Sequence, residues 1–557
     1  MLLLLFICIL CIGKAVFGER PMVQISDGKI RGIYDFAYYG RQYAGFIGIP
    51  YAQPPLGQLR FKEPVPVKPW QGIWDASRLK INCLQLDDDR QKVVGEEDCL
   101  YLNVFTSQLP SVNSIHPKLD VAIFFHPGAF MFGGGDWYGP HYIMDRSVVL
   151  VTVNYRLNVL GFLSTLDEVL PGNNGLKDQV LALKWVKKNI AAFGGNPDSV
   201  TIAGASAGAS SVQYHFLSPL SKGLFVRGIS TSGTTLCAWA NAEGMREKAF
   251  RLGAAVGCDT DSSTMLIRCL RNRPAGQLVE KVLLFQPWNF NPFSPFAPVT
   301  EKPHEGAFIT EDPLQALIGG KLRNLPWLTG VTTSEGLYPA ARFLNDEEQL
   351  HEFDTKFNEI APLIMHYNYT IKLNDLPKVN KMIRSFYLGS KIISKNTTTE
   401  VTQMIGDRLF QVPAARAVEL QARKNKSPVY LYKFNYRGTY SLSDRLSHTY
   451  INFGVAHADD VGYILNTSYI PRFENQEEKD MSNFLLDMWI NFMRNGNPNS
   501  EEHNFGWTPT SSTGAQIDLL EINSPTNYNM TEDSDLGHLN FWNKIPDQRA
   551  KYFHSPS

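Results

Sequence analysis

Residues 200–210 read VTIAGASAGAS, an apolar run that ends in a serine with small residues on both sides. Gly204-Ala205-Ser206-Ala207-Gly208 has the form G-x-S-x-G, in which a serine on a sharp strand-to-helix turn presents its hydroxyl as a nucleophile. The small neighbours let strand and helix pass close together. A plain small-residue turn has the same composition. Chemistry at Ser206 therefore requires a base, a group that orients the base, and donors for a developing oxyanion.

Twelve histidines offer bases, and most histidines are surface or core residues with satisfied hydrogen bonds. His457 stands out in FGVAHADDVGY, with small residues before it, Asp459 and Asp460 after it, and a position beyond the last strong strand signal. For the orienter, Glu335 in TGVTTSEGLYP directly follows an apolar run and precedes Gly336. Periodicity alone favours a solvated loop glutamate. The order Ser, Glu, His is the one hydrolases with this serine turn use. For the oxyanion, FFHPGAFMFGGG (124–135) follows a strand-like run, and the N–H groups of Gly128 and Ala129 can converge with that of Ala207. The loop lacks the Lys-Ser/Thr ending of a phosphate cradle.

These residues need a scaffold. DVAIFFH (120–126), VVLVTVNY (148–155) and SVTIAG (199–204) read as strands. Between the last two, apolar residues at 176, 180, 183, 186, 190 and 193 keep helical spacing. Strand, helix, strand implies a parallel sheet with a crossover helix. AGASSVQYHFLS after Ser206 suits a helix, which places the serine at the required turn. Further strands are expected at 227–233, 325–331 and 428–436. An amphipathic helix is expected over EEKDMSNFLLDMWINFMRNG, with Met481, Phe484, Leu485, Met488 and Phe492 on its core face. Residues 340–425 are polar and helix-leaning and carry no functional signal of their own.

The whole chain, 557 residues with 44% apolar and 12% aromatic content, can bury a large core. No linker or repeat interrupts it, so one elaborated α/β domain over 19–557 is expected. A formal net charge of −1 without a basic run argues against nucleic acid as a partner. The opening MLLLLFICILCIGKAVFG is too short for a membrane span and reads as a signal peptide ending at Gly18, although no Lys or Arg precedes its apolar run. Secretion without a membrane anchor is the expected fate, with an uncleaved N-terminal anchor as the alternative. Of seven cysteines, Cys8 and Cys11 would leave with the signal. Short-loop pairs Cys83–Cys99 and Cys258–Cys269, with Cys237 free, are the natural arrangement, but arithmetic does not choose among the pairings. Asn368, Asn396, Asn466 and Asn529 head glycosylation sequons. No Cys/His spacing suggests zinc, and neither metal nor cofactor is expected. Nothing in the sequence points to a particular oligomeric state.

GASAG, PPLGQLRF (54–61), EDCLYLNVF (97–105), NYRLNVLGFLS (154–164) and GVAHADD (454–460) together resemble the type-B carboxylesterase/cholinesterase family over nearly the whole chain after residue 18. LPWLTGVTTSEGLYPAARF and SVQYHFLSPLSKGLF look most like secreted insect carboxylesterases. The resemblance implies an α/β-hydrolase fold and hydrolysis of small carboxylic esters. It implies Ser206 as nucleophile, His457 as base, Glu335 as its acid, and Gly128, Ala129 and Ala207 as oxyanion donors. It implies the same two short disulfide loops, a second serine at Ser232 near the histidine, and acyl-pocket residues near 283–299, where Phe293 and Phe296 are candidates. Plain loop packing accounts for those two rings as well.

This chain departs from the family pattern at several points. Pro127 replaces the first glycine of the usual H-G-G-G run and Ala129 the last. Ala129 keeps its N–H, but its methyl group narrows the space beside it. Ala205 stands where cholinesterases commonly have glutamate and juvenile hormone esterases glutamine, and loop 84–98 has no tryptophan for a quaternary ammonium. Acetylcholine is therefore disfavoured. A general carboxylesterase is expected, with a juvenile hormone esterase as the alternative and a non-catalytic binding protein on the same fold as an alternative of another class.

Overall fold

The computed structural model describes residues 19–78, 82–87, 92–111, 116–467, 470–473, 475–513 and 516–546. The signal-peptide reading of 1–18 lies outside them. The scaffold is an eleven-stranded sheet. Its strands are β1 (Ile33–Phe36), β2 (Gln42–Pro50), β3 (Tyr101–Thr106), β4 (Leu119–Phe125), β5 (Val148–Val153), β6 (Gly195–Ala205), β7 (Arg227–Thr231), β8 (Trp327–Thr332), β9 (Val429–Phe434), β10 (Ile517–Ser524) and β11 (Asn527–Asp533). They lie in the order 11-10-9-8-7-6-4-5-3-2-1. Pairing is parallel from β5 through β4, β6, β7, β8 and β9 to β10, and antiparallel at both margins.

The six strands expected from apolar runs are β4 to β9, the central ones. Parallel strands with helices on both faces are buried on both faces, so their sequences read as unbroken apolar runs. Along β4, Val121, Ile123 and Phe125 join one core, which takes Leu176, Val180 and Leu183 from α1 (Asn174–Asn189). Ala122 and Phe124 join a second core on the opposite face, which takes Met488, Trp489 and Phe492 from a twenty-residue helix, Gln476–Asn495. Both helices match the sequence expectation. The marginal strands β1 to β3 and the hairpin of β10 and β11 were not anticipated. β2 and β3 are buried almost throughout, β1 is mostly exposed, and β11 mixes exposed with half-buried positions.

Strand order brings the candidate residues together. β6 pairs with β4 on one side and β7 on the other, and β7 pairs with β8. The loops leaving the C-terminal ends of β4, β6 and β8 therefore open on one edge of the sheet, where ligands bind in open α/β sheets. Those loops carry Gly128, Ser206 and Glu335.

Candidate active site

Ser206 follows β6 directly and caps α2 (Ala207–Leu217), with φ 54° and ψ −118°. Such a backbone conformation costs about 1–3 kcal/mol in an L-residue and persists only where its surroundings enforce it. Here they do. The Ser206 N–H donates to the Thr231 carbonyl at 2.8 Å, and the Ser206 carbonyl accepts the Ser210 N–H at 2.9 Å. A Cβ at Gly208 would run into the Phe125 carbonyl, and one at Gly204 into Gly208 itself. The two glycines of the motif let strand and helix approach closely enough to hold the turn.

Glu335 is 1% exposed. Its Oε1 accepts the Ser232 hydroxyl at 2.6 Å and the Thr332 N–H at 2.8 Å. Its Oε2 lies 2.6 Å from His457 Nδ1. A carboxylate at that distance accepts, so Nδ1 carries the proton and Nε2 is the basic nitrogen. Backbone pairing sets the register: the Ser334 N–H donates to the Val455 carbonyl at 3.0 Å, and Ser334 bridges Ala456 in parallel. His457 is 3% exposed, its ring flanked by Phe410 at 4.4 Å and Tyr338 at 5.4 Å. Among the described residues Nε2 has no hydrogen-bond partner, and His457 and Ser206 line the same cleft. Phe132, Trp137 and Tyr338 supply apolar wall.

Pro127 and Gly128 line that cleft as well. Gly128, Ala129 and Phe130 all have positive φ, at 115°, 57° and 61°. Their carbonyls are engaged elsewhere: Gly128 O by the Met131 N–H, Ala129 O by the Ser294 hydroxyl at 2.8 Å, and Phe130 O by the Asn158 N–H at 2.7 Å. Ala207, the first residue of α2, has no acceptor within its own helix. Beneath this loop His126 stacks on Tyr155 at 4.3 Å, and burial pushes its pKa down to about 4, so it is neutral and donates from Nδ1 to the Pro127 carbonyl.

The remaining candidates fall out as follows. Phe293 is not part of the cleft wall but stands behind Tyr338, edge-on to it at 5.1 Å. Phe296 is fully buried, edge-on to Phe285, and is not part of the cleft wall. Both disulfides, Cys83–Cys99 and Cys258–Cys269, are present, and Cys237 is a buried thiol whose pKa burial pushes up to about 12. Asn396 and Asn529 are exposed, whereas Asn368 and Asn466 are half-buried. Asp459 and Asp460 are buried, which raises their pKa to about 7 and about 6. Asp459 accepts from the Ala456 and Leu442 N–H groups and the Ser441 hydroxyl, tying the histidine turn to the helix Leu442–Ser447. Sequence reasoning missed Phe410 and Trp239, which pack on each other at 5.7 Å behind the histidine. Phe410 belongs to the segment without functional signal. Trp239, an isolated tryptophan just past β7, was the one available hint.

A family model for the carboxylesterase family matches residues 19–542. A carboxylic ester hydrolase of Bombus ignitus is 41% identical, over 95% of this chain and 94% of its own. A juvenile hormone esterase of Tribolium castaneum is 36% identical, over 94% of each chain. Among solved structures, juvenile hormone esterase from Manduca sexta with OTFP covalently attached superposes with a TM-score of 0.82 at 29% identity, covering 94% of this chain and 99% of that one. The architecture is the α/β-hydrolase fold. With this match along its length and its fold, the chain belongs to the carboxylesterase family and is a carboxylic-ester hydrolase.

Proposed function

We propose that this protein is a secreted, glycosylated serine carboxylesterase, one domain after loss of residues 1–18, working through Ser206, His457 and Glu335 and an acyl-enzyme. The observation that carries the reading is the 2.6 Å contact of Glu335 with His457 Nδ1, which leaves Nε2 as a base in the cleft that Ser206 lines. His457 Nε2 takes the Ser206 proton as Oγ bonds to the ester carbonyl carbon. Glu335 stabilises the imidazolium. Negative charge on the former carbonyl oxygen meets the N–H groups of Gly128, Ala129 and Ala207, and losing one such donor costs about 100- to 1,000-fold in turnover. The C–O bond to the alcohol breaks as His457 returns the proton to it. Water then attacks the acyl-enzyme, again giving its proton to His457, and Ser206 leaves protonated.

The test compares hydrolysis of 4-nitrophenyl butyrate by the wild type and by Ser206→Ala, both checked for folding. A fall of about 10⁴-fold or more in kcat is expected. Equal rates would overturn the nucleophile assignment. A second reading, action on juvenile hormone, draws on the Manduca sexta neighbour. Preference for that hormone's conjugated methyl ester over 4-nitrophenyl butyrate would select it.

A further inference from the structure

The oxyanion loop does not hold itself. Gly133 has φ 115°, and its backbone is gripped by one side chain from a distant segment. Gln85 Oε1 accepts the Gly133 N–H at 2.7 Å, and Gln85 Nε2 donates to the Gly133 carbonyl at 2.9 Å. The amide thus pairs with one residue of the loop as a neighbouring strand would. Nε2 also donates to the Cys83 carbonyl at 2.8 Å, which fixes the orientation of the amide. Gln85 is 2% exposed, so no water competes for these bonds. A second side chain works beside it: Asn158 Nδ2 bridges the Leu84 and Met131 carbonyls at 2.9 and 3.4 Å.

The gripping segment is itself anchored. The Cys83–Cys99 disulfide closes it, Gln85–Leu86 pairs antiparallel with Val93–Val94, and Leu84 N–H donates to the Glu96 carbonyl at 3.0 Å. Between Gly128 and Gly133 the Gly128 carbonyl accepts the Met131 and Phe132 N–H groups at 2.8 and 3.0 Å, and Ser294 and Asn158 hold the Ala129, Phe130 and Met131 carbonyls, while Gln85 holds the far end at Gly133. Release of Gly133 would let that turn relax, and with it the aim of the Gly128 and Ala129 N–H groups.

We propose that Gln85, on the disulfide-closed segment 83–99, is a positioning residue for the oxyanion hole, acting through Gly133 to aim the Gly128 and Ala129 N–H groups. The inference rests on the reading of Ser206 and the oxyanion donors above. An ester carbonyl makes weaker demands on those donors than an oxyanion does, so a loosened loop lowers turnover more than it weakens substrate binding.

The experiment compares wild type, Gln85→Ala, Gln85→Glu and Ser206→Ala. It measures kcat and KM for 4-nitrophenyl butyrate, the affinity for an alkyl trifluoromethyl ketone that presents an oxyanion when attacked, and thermal unfolding. Gln85→Glu keeps an acceptor for Gly133 N–H and loses both donations, so it guards against failure of the alanine variant to fold. Expected is a fall in kcat of about 10- to 100-fold, a KM within about threefold of wild type, and a parallel loss of trifluoromethyl ketone affinity, with Gln85→Glu intermediate. Wild-type kcat in a folded Gln85 variant while Ser206→Ala is inactive would overturn this inference alone. So would a fall in kcat with unchanged ketone affinity, which marks a merely structural role. Full activity in Ser206→Ala would overturn both readings.

Discussion

The two oxygens of Glu335 do different work. Oε1 is committed to Ser232 and Thr332, which leaves Oε2 for His457. Glu335→Gln can keep both Oε1 contacts, but its Nε2–H group would then face His457 Nδ1 and drive the imidazole proton to the other nitrogen. The expected result is a folded protein with kcat lowered about 10⁴-fold, read with 4-nitrophenyl butyrate and a melting curve. Ser206 was legible from its G-x-S-x-G turn, whereas Glu335 and His457 were singled out by the resemblance of several spaced motifs, since residue type and periodicity alone had left both open. Gln85, Phe410 and Trp239 were not legible, since a buried amide or ring reads the same whether it supports a site or only fills a core.

At the scale of elements, α1 and α2 meet through a buried histidine. His215 on α2 has Nε2 3.0 Å from Gln179 Oε1 on α1 and Nδ1 2.7 Å from the Ser221 hydroxyl. Burial pushes its pKa down to about 3. A folded pKa below the unfolded value of about 6.5 means that the unfolded chain binds the extra proton, so this group's contribution falls as pH drops from about 6.5 towards 3. His215→Gln removes that titration. Whatever the variant loses at neutral pH, its deficit relative to wild type should shrink by about 1.4 kcal/mol per pH unit below 6.5, measured by urea unfolding at several pH values. A deficit independent of pH would contradict the assignment. The central strands and both long helices were legible, because burial on both faces leaves continuous apolar runs and a helix leaves a 3.6-residue period. Of the marginal strands, β1, β10 and β11 escaped because half-exposed antiparallel strands mix polar and apolar residues, while in the buried β2 and β3 the apolar runs are interrupted by Gly45, Gly48 and Asn103.

Across the whole molecule, sequons differ in their surroundings. Asn396 and Asn529 are exposed. Asn466 is half-buried, and its Oδ1 accepts the His141 N–H at 2.7 Å while its amide packs on Gly139. In protein secreted from eukaryotic cells, Asn396 and Asn529 should carry glycan and Asn466 should remain unmodified, as read by mass spectrometry before and after glycosidase. Glycan on Asn466 would require the segment around it to open first. Among the described residues no helix is long and apolar enough to cross a membrane.

The linear sequence by itself determined the class of chemistry and the core of the scaffold: a serine turn, a histidine and a carboxylate in a known order, on strands whose apolar runs demand burial. Those features are local, written in residue type, spacing and period. Tertiary structure decided which aromatic rings form the cleft wall, that neither Phe293 nor Phe296 is among them, and that Gln85 holds a glycine 48 positions away. Such relations arise from strand order and loop packing, which bring together residues whose spacing along the chain carries no trace of their contact.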